Sequence, residues 1–269
     1  MVGAAPILAA VALALAAAGC DRDRRRIVLA TTTSVRDCGL LDALIPAFER
    51  ETGIRVAPVA VGSGEAMRMG RDGNADVLLV HDPDGEAEMI AQGVAAERVE
   101  VMRGRFVVVG PPSDPAGVRG VEDAPAVFAR LASGAAPFVS RGDGSGTHRA
   151  ERRMWREAGV EPSRAGYVST GTGMVETLRV ASERRAYCLT DEATFLRARS
   201  RLDLDMPAGS RGVGWANPYS VLLLSPGRHP GLRHEDARRF ARFLSSGPGR
   251  SIVESFGRAE FGRALFEVP

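Results

Sequence analysis

The stretch RIVLATTTSVRDCGLLDALIPAFERETGIRVAPVAVGSG, residues 26–64, decides the fold class. It begins with an apolar run at 26–30, continues with apolar residues at helical spacing over 40–48, and reaches a second apolar run at 54–61. These periods predict a strand, an amphipathic helix and another strand. Pro46 is expected to kink or divide the helix. A strand–helix–strand unit of this kind favours a mostly parallel sheet flanked by helices.

The same alternation continues along the chain. Helical patterns separate further apolar runs, which predict strands at 76–80, 105–110, 137–140, 186–190 and 218–225. Proline and glycine cluster at 110–120, where we place a boundary between two lobes. The sequence therefore predicts an α/β protein of two lobes, each with a mostly parallel sheet and flanking helices.

Composition excludes several classes of function. The 269 residues are enough for two modest lobes, and 35 basic against 33 acidic residues give a net charge of +2, which suggests no nucleic-acid partner. Every basic residue is an arginine, so a phosphate-binding P-loop, which needs a lysine, is excluded. We expect no cofactor and no metal cation site, because the nearest candidate, His81 with Asp82, is better interpreted as a strand-end cap or turn.

The first residues, MVGAAPILAAVALALAAAGC, are typical of an export signal. The apolar run from Ile7 to Ala18 is short for a membrane span, and AAAGC resembles a lipoprotein cleavage box. We expect a leader and tether over 1–26, a lipid anchor on Cys20 and a location outside the cytoplasm. Cleavage near Ala18 as an ordinary signal peptide is the alternative. Cys38 and Cys188 could form a disulfide in an exported protein, but we expect free buried thiols.

Three predicted strand ends share one chemistry. They read LATTTS, VAVGSGE and FVSRGDGSGTH, and each places hydroxyls and glycine immediately before a predicted helix. A helix N-terminus presents N–H groups without intrahelical acceptors and a partial positive charge, which suits an anion. Because ligands of open α/β sheets lie beyond the carboxyl ends of strands, the three turns predict one oxyanion site between the lobes.

At these residues the sequence resembles the tungstate-binding proteins of bacterial ABC uptake systems. The similar segments stand in order over residues 27–225: LATTTSVRDCGLLDALIPAFERETGI, VAVGSGEAMRMGRDGNADVLLVHDP, FVSRGDGSGTHRAERRMW and AYCLTDEATFL. The resemblance implies the type II periplasmic binding protein fold, with a ligand cleft between two lobes. It also implies a discontinuous first lobe, with lobe I at 27–110 and 190–269 and lobe II at 111–189.

The family resemblance further implies the ligand and its contacts. It carries oxyanion binding onto Thr32, Thr33, Ser34, Ser63, Arg141, Ser145, Gly146 and Thr147. Apart from the resemblance, we keep as second-rank candidates Thr172, in the TGTGM turn at 170–174, and Tyr187 and Thr190, near the expected hinge. Arg141 is the formal positive charge of these turns and is expected to contribute most to charge neutralisation. The implied protein is a non-enzymatic monomer that captures tungstate and passes it to a membrane permease and its ATPase.

Several alternatives stay open at this stage. Residue types alone do not separate tungstate from molybdate, and Glu65 or Asp143 could accept the proton of a bound phosphate. Glu65, where the family has glutamine, would repel an oxyanion if it pointed into the cleft. A membrane-anchored domain that senses an oxyanion without importing it would need the same binding site, so this function also stays open. A hydrolase using Ser145 and His148 is disfavoured, because the chain has no GxSxG elbow and only four histidines.

Overall fold

The computed structural model describes residues 25–133, 137–162, 165–209 and 213–269, so the leader and Cys20 lie outside the described residues. The strands are β1 (Arg26–Thr32), β2 (Arg55–Val61), β3 (Val77–Val80), β4 (Ala95–Gly110), β5 (Phe138–Ser140), β6 (Tyr167–Ser169), β7 (Cys188–Asp191), β8 (Asp205–Gly209) and β9 (Ala216–Leu224). The helices are α1 (Thr33–Asp37), α2 (Leu40–Thr52), α3 (Ser63–Arg71), α4 (Pro83–Ala91), α5 (Ala124–Ala132), α6 (Gly146–Glu157), α7 (Met174–Glu183), α8 (Glu192–Ala198), α9 (His234–Ser245), α10 (Pro248–Ser255) and α11 (Arg258–Phe261). Two 3₁₀ turns follow α8 and β8.

Seven of the described strands form one sheet, in which β4 joins two groups of strands. In the first group the order is β2-β1-β3-β9-β4, with β1 parallel to both β2 and β3. In the second group, residues 106–110 of β4 pair with β7 and β8. A small parallel pair, β5 and β6, is bridged to the second group between Phe138 and Tyr187. The antiparallel pairs described here all involve β4 or β9: β9 runs against β3 in the first group, and β4 runs against β7 and β8 in the second.

The cores follow the alternation of side chains along the strands. On β4, Phe106 and Val108 are buried in one cluster, while Val107 and Val109 are buried in another on the opposite face. This is the period of two that a strand buried on both sides requires. Separate clusters cover the two faces of the first group of strands. The helices thus cover both faces, as an α/β architecture demands.

Two local expectations turn out differently. Helix α2 is not divided at Pro46; this residue and Asp42, whose carbonyl loses its N–H partner to the proline, are both exposed. Strand β4 begins at Ala95, ten residues before the predicted start. Glu97, Arg98 and Glu100 interrupt the apolar residues of its first half, so the apolar periodicity that reveals a strand is obscured there.

Other expectations concern cysteines, membranes and lobe limits. Cys38 and Cys188 are free and buried, as expected, and burial raises the pKa of Cys38 to about 12. Among the described residues, no helix combines the length and the apolar character that crossing a membrane requires. The lobe limits at 110 and 190 stay a prediction. Residue 190 lies within β7, and β8, which follows it in the chain, pairs with the same strand β4.

Candidate ligand-binding site

The three hydroxyl-rich turns lie at strand ends, each followed by a helix. β1 ends at Thr32 and α1 begins at Thr33; β2 ends at Val61 and α3 begins at Ser63. The third turn separates β5 from α6, which begins at Gly146. The sequence-based prediction of strand, turn and helix is confirmed at each of these positions. The N–H groups of each first helical turn therefore point out of their helix.

The structure brings two of these turns into contact. A Cβ atom built on Gly146 would lie 2.9 Å from Ser63 Oγ and 2.6 Å from the carbonyl oxygen of His81. A Cβ on Gly62 would lie 3.6 Å from Ser145 Cβ. At Gly146 only glycine permits this approach of the main chains, whereas the distance at Gly62 is an ordinary van der Waals contact. The start of α6 therefore lies directly against the start of α3 and the end of β3.

Hydroxyl groups in these turns are buried without partners. Five of the six hydroxyls predicted for the site, and one guanidinium nitrogen, have no hydrogen-bond partner in the part of the chain that the structure describes; these atoms are Thr32 Oγ1, Thr33 Oγ1, Ser34 Oγ, Ser63 Oγ, Thr147 Oγ1 and Arg141 Nε. Buried polar atoms in folded proteins are almost always paired, and leaving one unpaired costs about 1–3 kcal/mol. Such a concentration of unpaired donors is typical of a site built for an acceptor-rich ligand.

Arg141 is held in a fixed position. Its side chain is 3% exposed, and Nη2 donates to Asp143 Oδ2 at 2.6 Å. Asp143 Oδ1 also accepts from the backbone N–H of Ser145 at 3.1 Å. Burial alone would raise the pKa of Asp143, but the charge of Arg141 and the hydrogen bonds from Ser145 hold it below its ordinary value. Asp143 is therefore ionised at neutral pH and orients the guanidinium, whose Nε stays without a partner.

Ser145 differs from the other predicted hydroxyls, because it caps a helix. Its Oγ accepts from the backbone N–H of His148 at 3.3 Å, and the His148 ring accepts from the N–H of Gly144 through Nδ1. No hydrogen bond is described between the Ser145 hydroxyl and the His148 ring, which a serine nucleophile would need. The Ser145 hydroxyl also interacts with the Asp143 carboxylate, so it is engaged on both sides, unlike the five unpaired hydroxyls.

His81 lies beside these turns and was not predicted as part of the site. It directly follows β3, its ring is buried, and its Nδ1 donates to Asn217 Oδ1 at 2.8 Å. Burial lowers the pKa of His81 to about 4, opposed by the bond to Asn217 and assisted by the charge of Arg141. His81 is therefore neutral at pH 7. His81 follows the end of a strand, as the three hydroxyl-rich turns do. This position is the sequence signal that could have identified it, although histidine carries no hydroxyl.

Neither acidic residue considered as a proton acceptor is free. Glu65 points away on the surface, where it accepts from Arg68 at 2.9 and 2.5 Å, and this contact lowers its pKa. Asp143 is engaged by Arg141 and Ser145. The predicted repulsion between Glu65 and an oxyanion is therefore absent in this arrangement.

Comparisons with known proteins identify the family. A model of the PBP superfamily domain matches residues 17–246. The tungstate-binding protein TupA of Peptoclostridium acidaminophilum is 37% identical over 274 residues, covering 97% of this chain and 96% of its own. TupA of Campylobacter jejuni is 32% identical, with 83% and 84% covered. The chain belongs to the tungstate-binding proteins of the PBP superfamily. The solved tungstate ABC transporter protein of Geobacter sulfurreducens has a TM-score of 0.79 at 36% identity, covering 87% of this chain and 99% of its own.

The family places this chain among the substrate-binding components of transport systems, which are not enzymes. The α/β architecture expected from the resemblance is confirmed by the match to solved members. In the described parts of the chain no cluster of three or more His, Cys, Asp or Glu is arranged to hold a metal ion. Asp82 instead caps α4 by accepting from Gly85 N–H.

The second-rank candidates have other contacts. The Tyr187 hydroxyl donates to Asp114 at 2.6 Å and accepts from the N–H of Ala116. Thr190 is buried and its hydroxyl donates to the carbonyl of Asp191. Thr172 is exposed, with its hydroxyl 3.5 Å from that of Thr177. The structure thus engages these three hydroxyls elsewhere, in contrast to the unpaired hydroxyls of the three turns.

Proposed function

We propose that this chain captures tungstate outside the cytoplasm and delivers it to an ABC permease driven by an ATPase. The observation that carries the proposal is the set of buried, unpaired donors in the turns after β1, β2 and β5. The relatives named for tungstate binding support the choice of ion. The proposed ligand contacts are Thr32, Thr33, Ser34, Ser63, Arg141, Ser145, Gly146 and Thr147.

The chemistry of these groups suits a fully ionised tetrahedral anion. Hydroxyls, main-chain N–H groups and a guanidinium are donors, and each hydrogen bond to a charged acceptor contributes about 1.5–3 kcal/mol. The two acidic residues nearest in sequence to the turns are already engaged by arginines. Neither of these two carboxylates is therefore free to accept the proton of an anion such as hydrogen phosphate. Tungstate and molybdate, which carry no proton at neutral pH, fit better.

Capture proceeds by closure of two lobes in this proposal. The first lobe comprises 27–110 and 190–269, and the second comprises 111–189. Contacts of the anion with both sides favour the closed form, and only this difference in affinity can drive closure. The protein acts as a monomer that a lipid on Cys20 anchors at the outer face of the cytoplasmic membrane.

A panel of anions tests the proposal. We expect tungstate to raise the melting temperature of the protein without its leader, because saturation at 1,000 times Kd adds about 4 kcal/mol of stability. Molybdate should act similarly, and sulfate and phosphate weakly or not at all. Isothermal titration calorimetry measures each affinity. Binding of phosphate but not tungstate, or of none of the four anions, would refute the proposal.

The variant Arg141→Ala tests the placement of the site. We expect tungstate affinity to fall about a hundredfold or more, because a buried cation that pairs with the ligand is lost. Arg156→Ala is the matched control, since Arg156 is an exposed arginine on α6. Circular dichroism confirms that both variants fold. Unchanged tungstate affinity in folded Arg141→Ala would show that the ion binds elsewhere.

A further inference from the structure

An ion pair connects α6 to the end of β3 beside the candidate site. Arg149 Nη1 lies 2.8 Å from Asp82 Oδ2. Asp82 belongs to the turn between β3 and α4, on the first group of strands, whereas Arg149 belongs to the helix that follows β5. The pair therefore bridges the same two parts of the molecule that meet where Gly146 contacts His81.

The two members of this pair have very different surroundings. The Asp82 side chain is 3% exposed, while that of Arg149 is 46% exposed. Asp82 Oδ1 caps α4 through Gly85 N–H, but no donor in the described chain is aligned with Oδ2. The contact at Oδ2 is thus an ion pair without an aligned hydrogen bond. Burial raises the pKa of Asp82, and Arg149 is the cation that opposes this rise most, with Arg153 weaker.

Arg149 reaches Asp82 by crossing the first turn of α3. A Cβ built on Gly64 would lie 3.5 Å from Arg149 Nη2 and 3.3 Å from the carbonyl oxygen of Gly144. The Arg149 guanidinium therefore lies where the turn after β2 meets the turn after β5, and its Nη1 is directed at the Asp82 carboxylate. If the turns separated, Asp82 would become accessible to water and the pair would be broken.

We propose that Arg149 and Asp82 form a latch that stabilises the closed arrangement of the two turns without contacting the ligand. This inference rests on the proposed function, because the latch acts on the closure that retains the anion. In the closed form the latch compensates the buried carboxylate, whereas in the open form water does so. Since apparent affinity scales with the population of the binding-competent closed form, the latch sets how long the anion is retained.

Two isosteric variants test the latch. Arg149→Gln removes the cation and leaves a buried carboxylate in the closed form. Asp82→Asn removes the anion and keeps a side chain that caps α4 well. The latch predicts that each substitution weakens tungstate affinity about tenfold, between the small effect of an exposed ion pair and the large effect of a buried one. The loss should appear in the dissociation rate measured by stopped flow, with the association rate little changed.

The sign of the Asp82→Asn effect separates the latch from simple electrostatic attraction. If the two charges acted only through their field on the anion, removing Asp82 would strengthen tungstate binding while removing Arg149 would weaken it. The latch requires both variants to weaken it. In the double variant the loss should be smaller than the sum of the single losses, because the second substitution removes a group that has already lost its partner.

Arg152→Gln is the control on the same helix, since Arg152 is exposed and forms no ion pair with the described residues. Thermal melting shows whether the variants fold, and Asp82→Asn retains the test if Arg149→Gln does not. Unchanged dissociation in Arg149→Gln, tighter binding by Asp82→Asn, or strictly additive losses would each overturn the latch. Absence of tungstate binding by the unmodified protein would instead refute the proposed function.

Discussion

Thr31 and Thr32 are neighbours at the end of β1, and both are buried, but their hydroxyls have different surroundings. Thr31 Oγ1 donates to the carbonyl of Leu79 at 2.9 Å and so ties β1 to β3. Thr32 Oγ1 has no partner among the described residues. Because successive strand residues point to opposite sides, the two hydroxyls face different environments. The Thr31 hydroxyl therefore stabilises the fold, and the Thr32 hydroxyl is proposed to bind the ligand.

Isosteric substitution should separate these two roles. Thr31→Val should lower the free energy of unfolding by about 1 kcal/mol, because the Leu79 carbonyl loses a donor, with tungstate affinity nearly unchanged. Thr32→Val should leave stability unchanged or raise it, because no hydrogen bond is lost, and should weaken tungstate binding at least fivefold. Urea unfolding and calorimetry measure the two quantities. A destabilised Thr32→Val that binds tungstate normally would reverse the assignment.

At the scale of elements, the site depends on how closely α6 approaches α3 and β3. Gly146, the first residue of α6, permits this contact, and a Cβ there would lie 2.6 Å from the His81 carbonyl oxygen. A main-chain atom at that distance cannot move aside as a flexible side chain does. The start of α6 therefore has to be glycine for the turns to meet.

Gly146→Ala should weaken tungstate binding more than tenfold, because the added methyl group separates the two turns. Alanine favours helix over glycine by up to about 1 kcal/mol, so folding of α6 should not suffer. Gly231→Ala is the control, since a Cβ there would meet no described atom within 4 Å. Calorimetry on both variants tests this, and equal affinities would mean that the contact does not matter for binding.

A buried carboxylate ties α6 to β6. Glu151 Oε1 accepts from Tyr167 Oη at 2.6 Å and from Trp155 Nε1 at 3.2 Å. Burial raises the pKa of Glu151 despite these hydrogen bonds. The native state therefore holds a proton that the unfolded state releases, so stability decreases as pH rises from the ordinary glutamate pKa through the raised one.

Glu151→Gln should remove this pH dependence, because the amide oxygen accepts the same two bonds and carries no charge. We expect a higher melting temperature than the unmodified protein at pH 7, and a smaller difference at pH 4. Melting curves across this range provide the measurement. Glu161→Gln, at an exposed site in the same half of the chain, is the control. A lower melting temperature of Glu151→Gln at pH 7 would contradict the expectation.

Much of the element pattern was predictable, because apolar periodicity and hydroxyl-rich turns are local signals. The ends of β1, β2 and β5 and the starts of the helices after them follow from residue types that favour strands, turns and caps. The first half of β4 was missed because charged residues mask its period. His81 and the Arg149–Asp82 pair were missed because tertiary packing, and no local pattern, brings β3 against α6.

At the scale of the whole molecule, β4 and β9 connect the parts that meet at the site. β4 pairs with β9 from Ala95 to Arg105 and with β7 from Phe106 onward. Near this change of partner, Glu267 of the C-terminal segment pairs with Arg103 through main-chain hydrogen bonds. Closure in our proposal is therefore a movement about continuous strands rather than about a loose linker.

Small-angle scattering should detect this movement. With saturating tungstate we expect a radius of gyration near the value of about 18 Å for a compact chain of this length, and a larger one without it. Arg141→Ala should show no decrease at the same tungstate concentration. Identical scattering with and without bound tungstate would indicate that the lobes do not move on binding.

The buried thiols have a practical consequence for such experiments. Cys38 and Cys188 are unpaired and inaccessible, and both have raised pKa values, so thiol reagents should not reach them while the protein is folded. A single cysteine introduced on either rim of the cleft could then be labelled selectively, with no need to remove the native ones. The rate at which Cys38 and Cys188 are labelled would itself measure global unfolding.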